Sequence, residues 1–176
     1  MSVGFGHQAS AFTLGNGIEV RRALPGDAES LTHIAFAAKR YWGYPERWIR
    51  HWSESLTIAP EFVRDNDVYA AAVGGEPFGF YALAGTGHGL ELEHLWVSPA
   101  WIGSGAGRLL FEHAMDRAAS RGAKHVEIEA DPNAEGFYLR MGARRAGENV
   151  YEIEGQSRVL PLLKVELSRE GPGTKS

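Results

Sequence analysis

Apolar and polar residues alternate through Ile18-Glu19-Val20-Arg21-Arg22-Ala23, the period of a half-buried strand. Pro25-Gly26-Asp27 interrupts it, with Asp27 placed to cap a helix. Leu31, Ile34, Ala35 and Ala38 then recur at the spacing of one helical face, which predicts a helix to about Arg40. After the Gly43 and Pro45 break, a second helix is predicted over 45–56, with Trp48, Ile49 and Trp52 on one side, and one further turn over 59–64. Two apolar runs flanking Gly74-Gly75 read as a hairpin, 68–73 and 77–83, and a glycine-rich loop at 85–89 leads into a strand over 90–97. A long helix over 105–121 stops at Gly122. A strand over 125–130, a short helix ending at Gly142, and strands over 143–154 and 158–167 complete the series. The predicted order is β-α-α-β-β-β-α-β-α-β-β. The strand, long helix and strand in its centre require a parallel crossover, so the expected fold is α/β, a mixed sheet with helices on both faces. Residues 1–17 are rich in glycine and serine and are expected to lie loosely, 18–167 to form a single domain, and 168–176 to be a disordered polar tail.

Between the strand at 90–97 and the long helix, Gly103, Gly105 and Gly107 stand at every second position. Such spacing opens dihedrals closed to other residues and strips side chains from one wall of the turn. Amide N–H groups of residues 103–108 can then converge at a helix N-terminus, where partial positive charge favours an anion, and Arg108 adds a full charge. This is the chemistry of a diphosphate cradle. A dinucleotide fingerprint does not fit, because the third glycine comes too soon, and a Walker loop would need Gly-Lys-Ser/Thr. A purely structural glycine turn is the remaining alternative.

Composition narrows the chemistry. A chain of 176 residues with 44% hydrophobic content can bury a core, and its net charge of −4 argues against nucleic-acid and anionic-membrane partners. The pairs Arg21-Arg22 and Arg144-Arg145 are too short to reverse that conclusion. The absence of cysteine excludes disulfides, thiolate metal ligands and a cysteinyl intermediate, so any group transfer must be direct or use another nucleophile. No apolar run reaches bilayer length and residues 1–17 hold no Lys or Arg, so a cytoplasmic location is expected. None of the seven histidines forms a His-x-x-x-His pair with a helical Glu, so no metal is expected. His94 is expected on the strand face opposite Glu93.

A strand ending Leu95-Trp96-Val97-Ser98-Pro99, the glycine turn, a long helix, a strand and then Asn133-x-x-x-Phe137-Tyr138-x-x-x-Gly142 together resemble the GCN5-related N-acetyltransferases over residues 18–167. That family's cofactor signature, Gln/Arg-x-x-Gly-x-Gly/Ala, is matched at Gly105 and Gly107, with Ile102 where the family has Gln or Arg. The resemblance implies a splayed sheet of the acyl-CoA N-acyltransferase type, opening beyond Val97. It implies acetyl-CoA as co-substrate, bound by Trp96, Val97, Ile102, Gly103, Ser104, Gly105, Ala106, Gly107, Arg108, Asn133, Phe137 and Tyr138. It also implies that the Val97 amide polarises the thioester carbonyl and that Tyr138 is the general acid to the departing thiolate.

A base is also needed, and strand alternation puts Glu91, Glu93, Leu95 and Val97 on one face, with Glu93 nearer the reacting end. Glu129, with Glu127 and Asp131 on the neighbouring strand, would attract a cationic amine. Tyr41, Trp42 and Tyr44, around the Gly-Pro break, are candidates for a lid over the acceptor, while Trp48 and Trp52 read as helix packing. The leading expectation is direct acetyl transfer to a primary amine of a small molecule or peptide. Its competitors are a non-catalytic acyl-CoA sensor and a protein or peptide N-acetyltransferase. Homodimerisation, common in that family, would use the last strands.

Overall fold

The structure is a computed structural model and describes residues 12–14, 17–85 and 89–167. One eight-stranded sheet runs in the order β1-β2-β3-β4-β5-β6-β8-β7. Its strands are β1 Phe12–Leu14, β2 Ile18–Arg22, β3 Asp67–Val73, β4 Glu76–Ala84, β5 Gly89–Val97, β6 His125–Glu129, β7 Arg144–Ile153 and β8 Gln156–Glu166. The helices are α1 Ala28–Tyr41, α2 Glu46–His51, α3 Ser53–Leu56, α4 Pro60–Asp65, α5 Ala106–Ser120 and α6 Glu135–Arg140. β2–β8 are the seven strands the periodicity predicts. The eighth, β1, falls in the segment expected to lie loosely, and it pairs antiparallel with β2, Phe12 beside Val20. The expectations for the rest of that segment, for the middle of the 85–89 loop and for the tail from Ser168 lie outside the described residues.

The sheet separates two apolar layers. Leu90, Leu92, Leu110, Phe111, Val126, Ile128 and Leu163 form the layer on the α5 side; Leu31, Ala35, Ile49, Val63, Val68 and Phe80 form the one under α1–α4. β4 feeds both, with Tyr81 and Leu83 on the α5 side and Phe80 and Ala82 on the other, which explains its unbroken apolar run. Phe80, Tyr81, Leu83 and Leu110 are fully buried, each stabilising the fold by about 1.5–3 kcal/mol. α1 lays its predicted stripe on the sheet. Asp27 stands at the cap position, but its carboxylate turns back to accept from the Leu24 N–H at 2.8 Å and to pair with Arg21, so it braces the entry turn instead of capping α1.

Two irregularities in β5 shape the space beside it. Its parallel pairing with β6 runs from Gly89 beside His125 to Glu91 beside Glu127 and stops there. The sheet therefore opens directly after Glu91, well before the expected point beyond Val97. The antiparallel register with β4 also shifts, from Leu92 opposite Leu83 to His94 opposite Ala82, leaving Glu93 as the extra residue of a bulge.

Candidate active site

The bulge resets the faces of β5. Leu90 and Leu92 join the α5-side layer and so, after the extra residue, do Leu95 and Val97, whereas Trp96 packs toward α1–α4. Glu91 and Glu93 share a face as expected, but Leu95 and Val97 lie on the opposite one. His94, expected opposite Glu93, stands with it along the same cavity. The physical reason is the one inserted residue, which advances a two-residue period by half a cycle.

The gap between β5 and β6 opens into a cleft of about 650 Å³, which reaches from the glycine turn past Val97 to Glu93, Glu129 and Arg158. A second cavity of about 480 Å³ adjoins it through Lys39, Glu93, Trp96, Glu129, Arg158 and Leu160, and extends to His51, Trp52, Glu91, His94 and Tyr151.

At one end of the cleft the chain passes from a short 3-10 turn, Pro99–Trp101, into α5. Gly103 and Gly105 take φ of 80° and 89°, left-handed values at which a side chain would be strained. Within the turn the N–H of Ile102 donates to the Pro99 carbonyl, that of Ser104 to the Trp101 carbonyl at 3.2 Å, and that of Ala106 to Ser104 Oγ at 3.3 Å. The amides of Gly103, Gly105, Gly107 and Arg108 have no such acceptor among the described residues, and these four residues line the cleft while Ser104 and Ala106 do not. The N–H groups of Ser104 and the buried Ala106 are thus spent within the turn, and those of Gly103, Gly105, Gly107 and Arg108 are left as free donors. The Arg108 side chain pairs with Glu112 at 2.8 Å on the exposed face of α5.

Farther along, the Ser98 N–H donates to the Phe78 carbonyl at 2.7 Å. Strand alternation then turns the N–H and carbonyl of Val97 the other way, into the gap. Trp96 turns its main chain toward β4, its carbonyl lying 3.1 Å from where a Cβ on Gly79 would stand, and offers the cleft its ring, with Nε1 donating to His94 Nδ1 at 3.0 Å. Burial brings His94 down to about 4, so at neutral pH it is an uncharged acceptor. Among the described residues no group of His, Asp and Glu is placed to hold a metal ion.

Opposite Val97, α6 contributes Phe137 and Tyr138. The Phe137 ring approaches the position of a Cβ on Gly107 at 3.5 Å, closing the space between α5 and α6. Tyr138 is buried, packed edge-on to Phe137 and tilted against Phe111 with centroids 5.2 Å and 6.1 Å away, yet it lines the cleft. Its hydroxyl has no hydrogen bond to protein among the described residues and is not sealed from the cleft. Burial, with the charge of Asp131 adding to it, raises its ionisation above the ordinary phenol range, so it stays protonated at neutral pH. Glu93 is also shifted upward, by partial desolvation and then by neighbouring Glu91.

Asn133 does not stand free. Its Nδ2 donates to the Tyr44 hydroxyl at 2.9 Å and to Asp131 Oδ1 at 3.0 Å, and its N–H to the same carboxylate at 2.9 Å. Asp131 also takes Lys39 Nζ at 2.6 Å, Arg158 at 3.2 Å and the Tyr44 hydroxyl at 2.9 Å. Tyr44, expected as part of a lid, is thus a fixed member of this hub. Trp42 is exposed and lines the cleft; Tyr41 is exposed and lines neither cavity. Glu129 sits between the cavities with Oε2 accepting from Asn149 at 2.6 Å and Tyr151 at 2.8 Å. Trp52, expected to be packing alone, walls the second cavity, and Trp48 donates to Glu154 at the tip of the β7–β8 hairpin, which Arg47 also holds. Lys39, Arg158 and Tyr151 were not expected at the site. For Lys39 a signal existed, since it stands four residues after Ala35 on the apolar stripe of α1, where a lysine is buried only with a partner.

Comparisons with known proteins agree with this geometry. The family model described as an acetyltransferase (GNAT) domain matches residues 44–156. The chain is 32% identical over 113 residues to the peptidyl-lysine N-acetyltransferase YjaB of Salmonella typhimurium, covering 64% of this chain and 68% of that protein. Among solved structures it resembles a GCN5-related N-acetyltransferase from Rhodopseudomonas palustris, with TM-score 0.72, 23% identity and coverage of 84% of this chain and 94% of that one. It also resembles the PaiA N-acetyltransferase of Thermoplasma acidophilum in complex with coenzyme A, with TM-score 0.66, 21% identity and coverage of 85% and 98%. A glycine turn with four free amides, a sheet parted beside it, a protonated phenol across the gap and a family match over most of the chain lead to one conclusion: this chain belongs to the GNAT family and is an acetyltransferase.

Proposed function

We propose that the protein transfers acetyl from acetyl-CoA directly to a primary amine, with Tyr138 as general acid and Glu93 as the base. The observation that carries this reading is that four free amides, the open Val97 main chain and the Tyr138 hydroxyl line one cleft that continues into an acid-lined cavity. The site suits acetyl-CoA on its own terms. The N–H groups of Gly103, Gly105, Gly107 and Arg108 suit a diphosphate, and the unpaired edge of β5 suits an amide-bearing arm. When bound, the co-substrate supplies an activated acyl thioester. Glu93, directly or through water, takes a proton from the ammonium and frees the attacking nitrogen. The Val97 N–H is the available donor for charge developing on the carbonyl oxygen. As the C–N bond forms and the C–S bond breaks, Tyr138 gives its proton to the sulfur and is re-protonated by the second proton shed from nitrogen. No covalent enzyme intermediate is needed, in keeping with a chain that has no cysteine. The coenzyme A in the PaiA structure and the amine acceptor in YjaB's name support the same chemistry.

A thiol-release assay across a panel of amines tests the reading. Saturable release that depends on both substrates is expected; tight coenzyme A binding with no release from any amine would overturn it. Gly105→Ala is expected to raise the acetyl-CoA KM about tenfold with little change in kcat, because the left-handed backbone at φ 89° costs an L-residue about 1–2 kcal/mol. An unchanged KM would remove Gly105 from the cradle. Glu93→Gln is expected to lower kcat/KM for the amine about tenfold, with Glu91 and water supplying residual base strength. In the native enzyme, activity falls on the acid side as Glu93 is protonated, at a pH above the usual carboxylate range. A pH profile whose acid limb survives in the variant would assign that limb to another group.

A further inference from the structure

The acceptor-side cavity is electrically lopsided. β5, β6 and β7 present Glu91, Glu93, Glu129 and Glu152 to it, while α1 and β8 present Lys39 and Arg158. Both cations are held by one carboxylate, Asp131, with Lys39 Nζ at 2.6 Å and Arg158 at 3.2 Å. All three are nearly out of water, their side chains 10% (Lys39), 11% (Arg158) and 9% (Asp131) exposed. Among the described residues no other carboxylate comes within 4.0 Å of either cation. Two buried cations on one carboxylate leave a positive charge uncompensated, a costly arrangement unless something else supplies the anion.

The rings of Tyr44 and Trp52 offset part of that cost. Lys39 Nζ lies 4.8 Å and 4.2 Å from their centroids, and the Arg158 guanidinium 4.8 Å from each. They do not use the hydrogen-bond donors. Of the five N–H groups of Arg158, one donates to Asp131 and the Tyr44 hydroxyl lies beside the guanidinium, which leaves further N–H groups for a ligand, and the side chain lines both cavities. A planar guanidinium with a free edge is the side chain best shaped to take a carboxylate in two parallel hydrogen bonds. Burial pulls the proton affinity of Lys39 down against the opposing charge and hydrogen bond of Asp131, with the charge of Arg158 adding a smaller downward pull. The diphosphate of the co-substrate is not the missing anion. Its donors belong to the glycine turn, which does not reach the second cavity.

We propose that the acceptor is a small zwitterion, a molecule carrying both a primary amine and a carboxylate, with the carboxylate on Arg158 and Lys39 and the ammonium toward Glu93 and Glu129. This rests on the amine-acetylation reading and narrows it. A lysine side chain within a peptide brings no carboxylate to that place and is the poorer acceptor.

Matched pairs test it: phenylalanine, leucine, glutamine and 4-aminobutyrate, each against its carboxamide, with an Nα-blocked lysine peptide alongside. Thiol release gives kcat/KM, and calorimetry on the coenzyme A-bound protein gives binding. At least one free acid is expected to exceed its carboxamide by about tenfold or more in both readouts. Arg158→Gln leaves Asp131 balanced by Lys39, so the variant is expected to fold, and it should bring the acid-to-amide ratio to within about threefold by weakening the acid. Carboxamides equal to or better than every acid, a lysine peptide preferred to all of them, or an acid preference that survives in Arg158→Gln would each overturn the proposal. Failure of every amine to release thiol would instead overturn the amine-acetylation reading. The calorimetric comparison would then still decide whether Arg158 holds a carboxylate, and equal or absent binding of acid and amide would reject it.

Discussion

Tyr138→Phe is expected to lower kcat by about a hundredfold or more while changing the acetyl-CoA KM less than about threefold. The substitution removes one oxygen and leaves the ring in place, so the contacts with Phe111 and Phe137 persist and the cleft keeps its shape. What is lost is the proton for the departing sulfur. Because burial holds the phenol protonated beyond its ordinary range, the native enzyme should show no fall in kcat through Tyr138 ionisation between about pH 7 and about pH 10. Steady-state kinetics with saturating amine, paired with a melting curve for each protein, separate the chemical role from a packing role. A kcat within threefold of the native value would mean that water or another donor protonates the sulfur, and the assignment of Tyr138 would be withdrawn.

The glycine turn was legible because its constraint is local. Left-handed backbone at Gly103 and Gly105, and amides converging at a helix N-terminus, follow from residue type and spacing without knowledge of the rest of the chain. Tyr138 was legible for a different reason, through a motif on one short helix. The β5 bulge shows a signal that existed and was misread. Strict alternation from Glu91 put Leu95 and Val97 beside the two acids, yet the apolar residues fall at Leu90, Leu92, Leu95 and Val97, and the three-residue step in the middle marks an inserted residue. The opening of the sheet directly after Glu91 accompanies that bulge and was therefore misplaced with it.

The acceptor side was far less legible because its pieces come from distant parts of the chain. Asp131 gathers Lys39 from α1, Tyr44 from the α1–α2 break and Arg158 from β8, contacts separated by 92, 87 and 27 residues. No local period reports such a meeting, and Arg158 on an alternating strand reads as one more solvent-facing cation. The tryptophans were undervalued in the same way. Packing against the sheet and walling a cavity use the same apolar face, so spacing alone cannot separate them. β1 was missed because three residues beside a glycine-rich stretch are too few to establish a period.

Asp131→Asn is expected to cost about 3–5 kcal/mol of stability near neutral pH, because it strands two buried cations without the one carboxylate that reaches them among the described residues. Burial alone would push the Asp131 carboxyl upward, but the charge and hydrogen bond of Lys39, the Asn133 amide and the Tyr44 hydroxyl together hold it below the usual carboxylate range. A carboxyl lowered by folding stabilises the native state fully above its unfolded pKa of about 3.9, and that contribution disappears as pH falls through the folded value. The native protein should therefore lose this share of its stability only in strong acid, and the Asn variant should lack that acid limb. Lys39 moves the gap at the other end of the scale. Folding already lowers its proton affinity, and without the facing carboxylate it falls further, so the variant regains stability as rising pH strips the proton from the buried amine. Urea unfolding of both proteins from about pH 5.5 up to the unfolded lysine value of about pH 10.4 should show a gap that is widest at the acid end and narrows upward. A gap below about 1 kcal/mol, or one that does not change with pH, would mean that the two cations find their compensation elsewhere. The excess positive charge on which an anionic acceptor depends would then not exist.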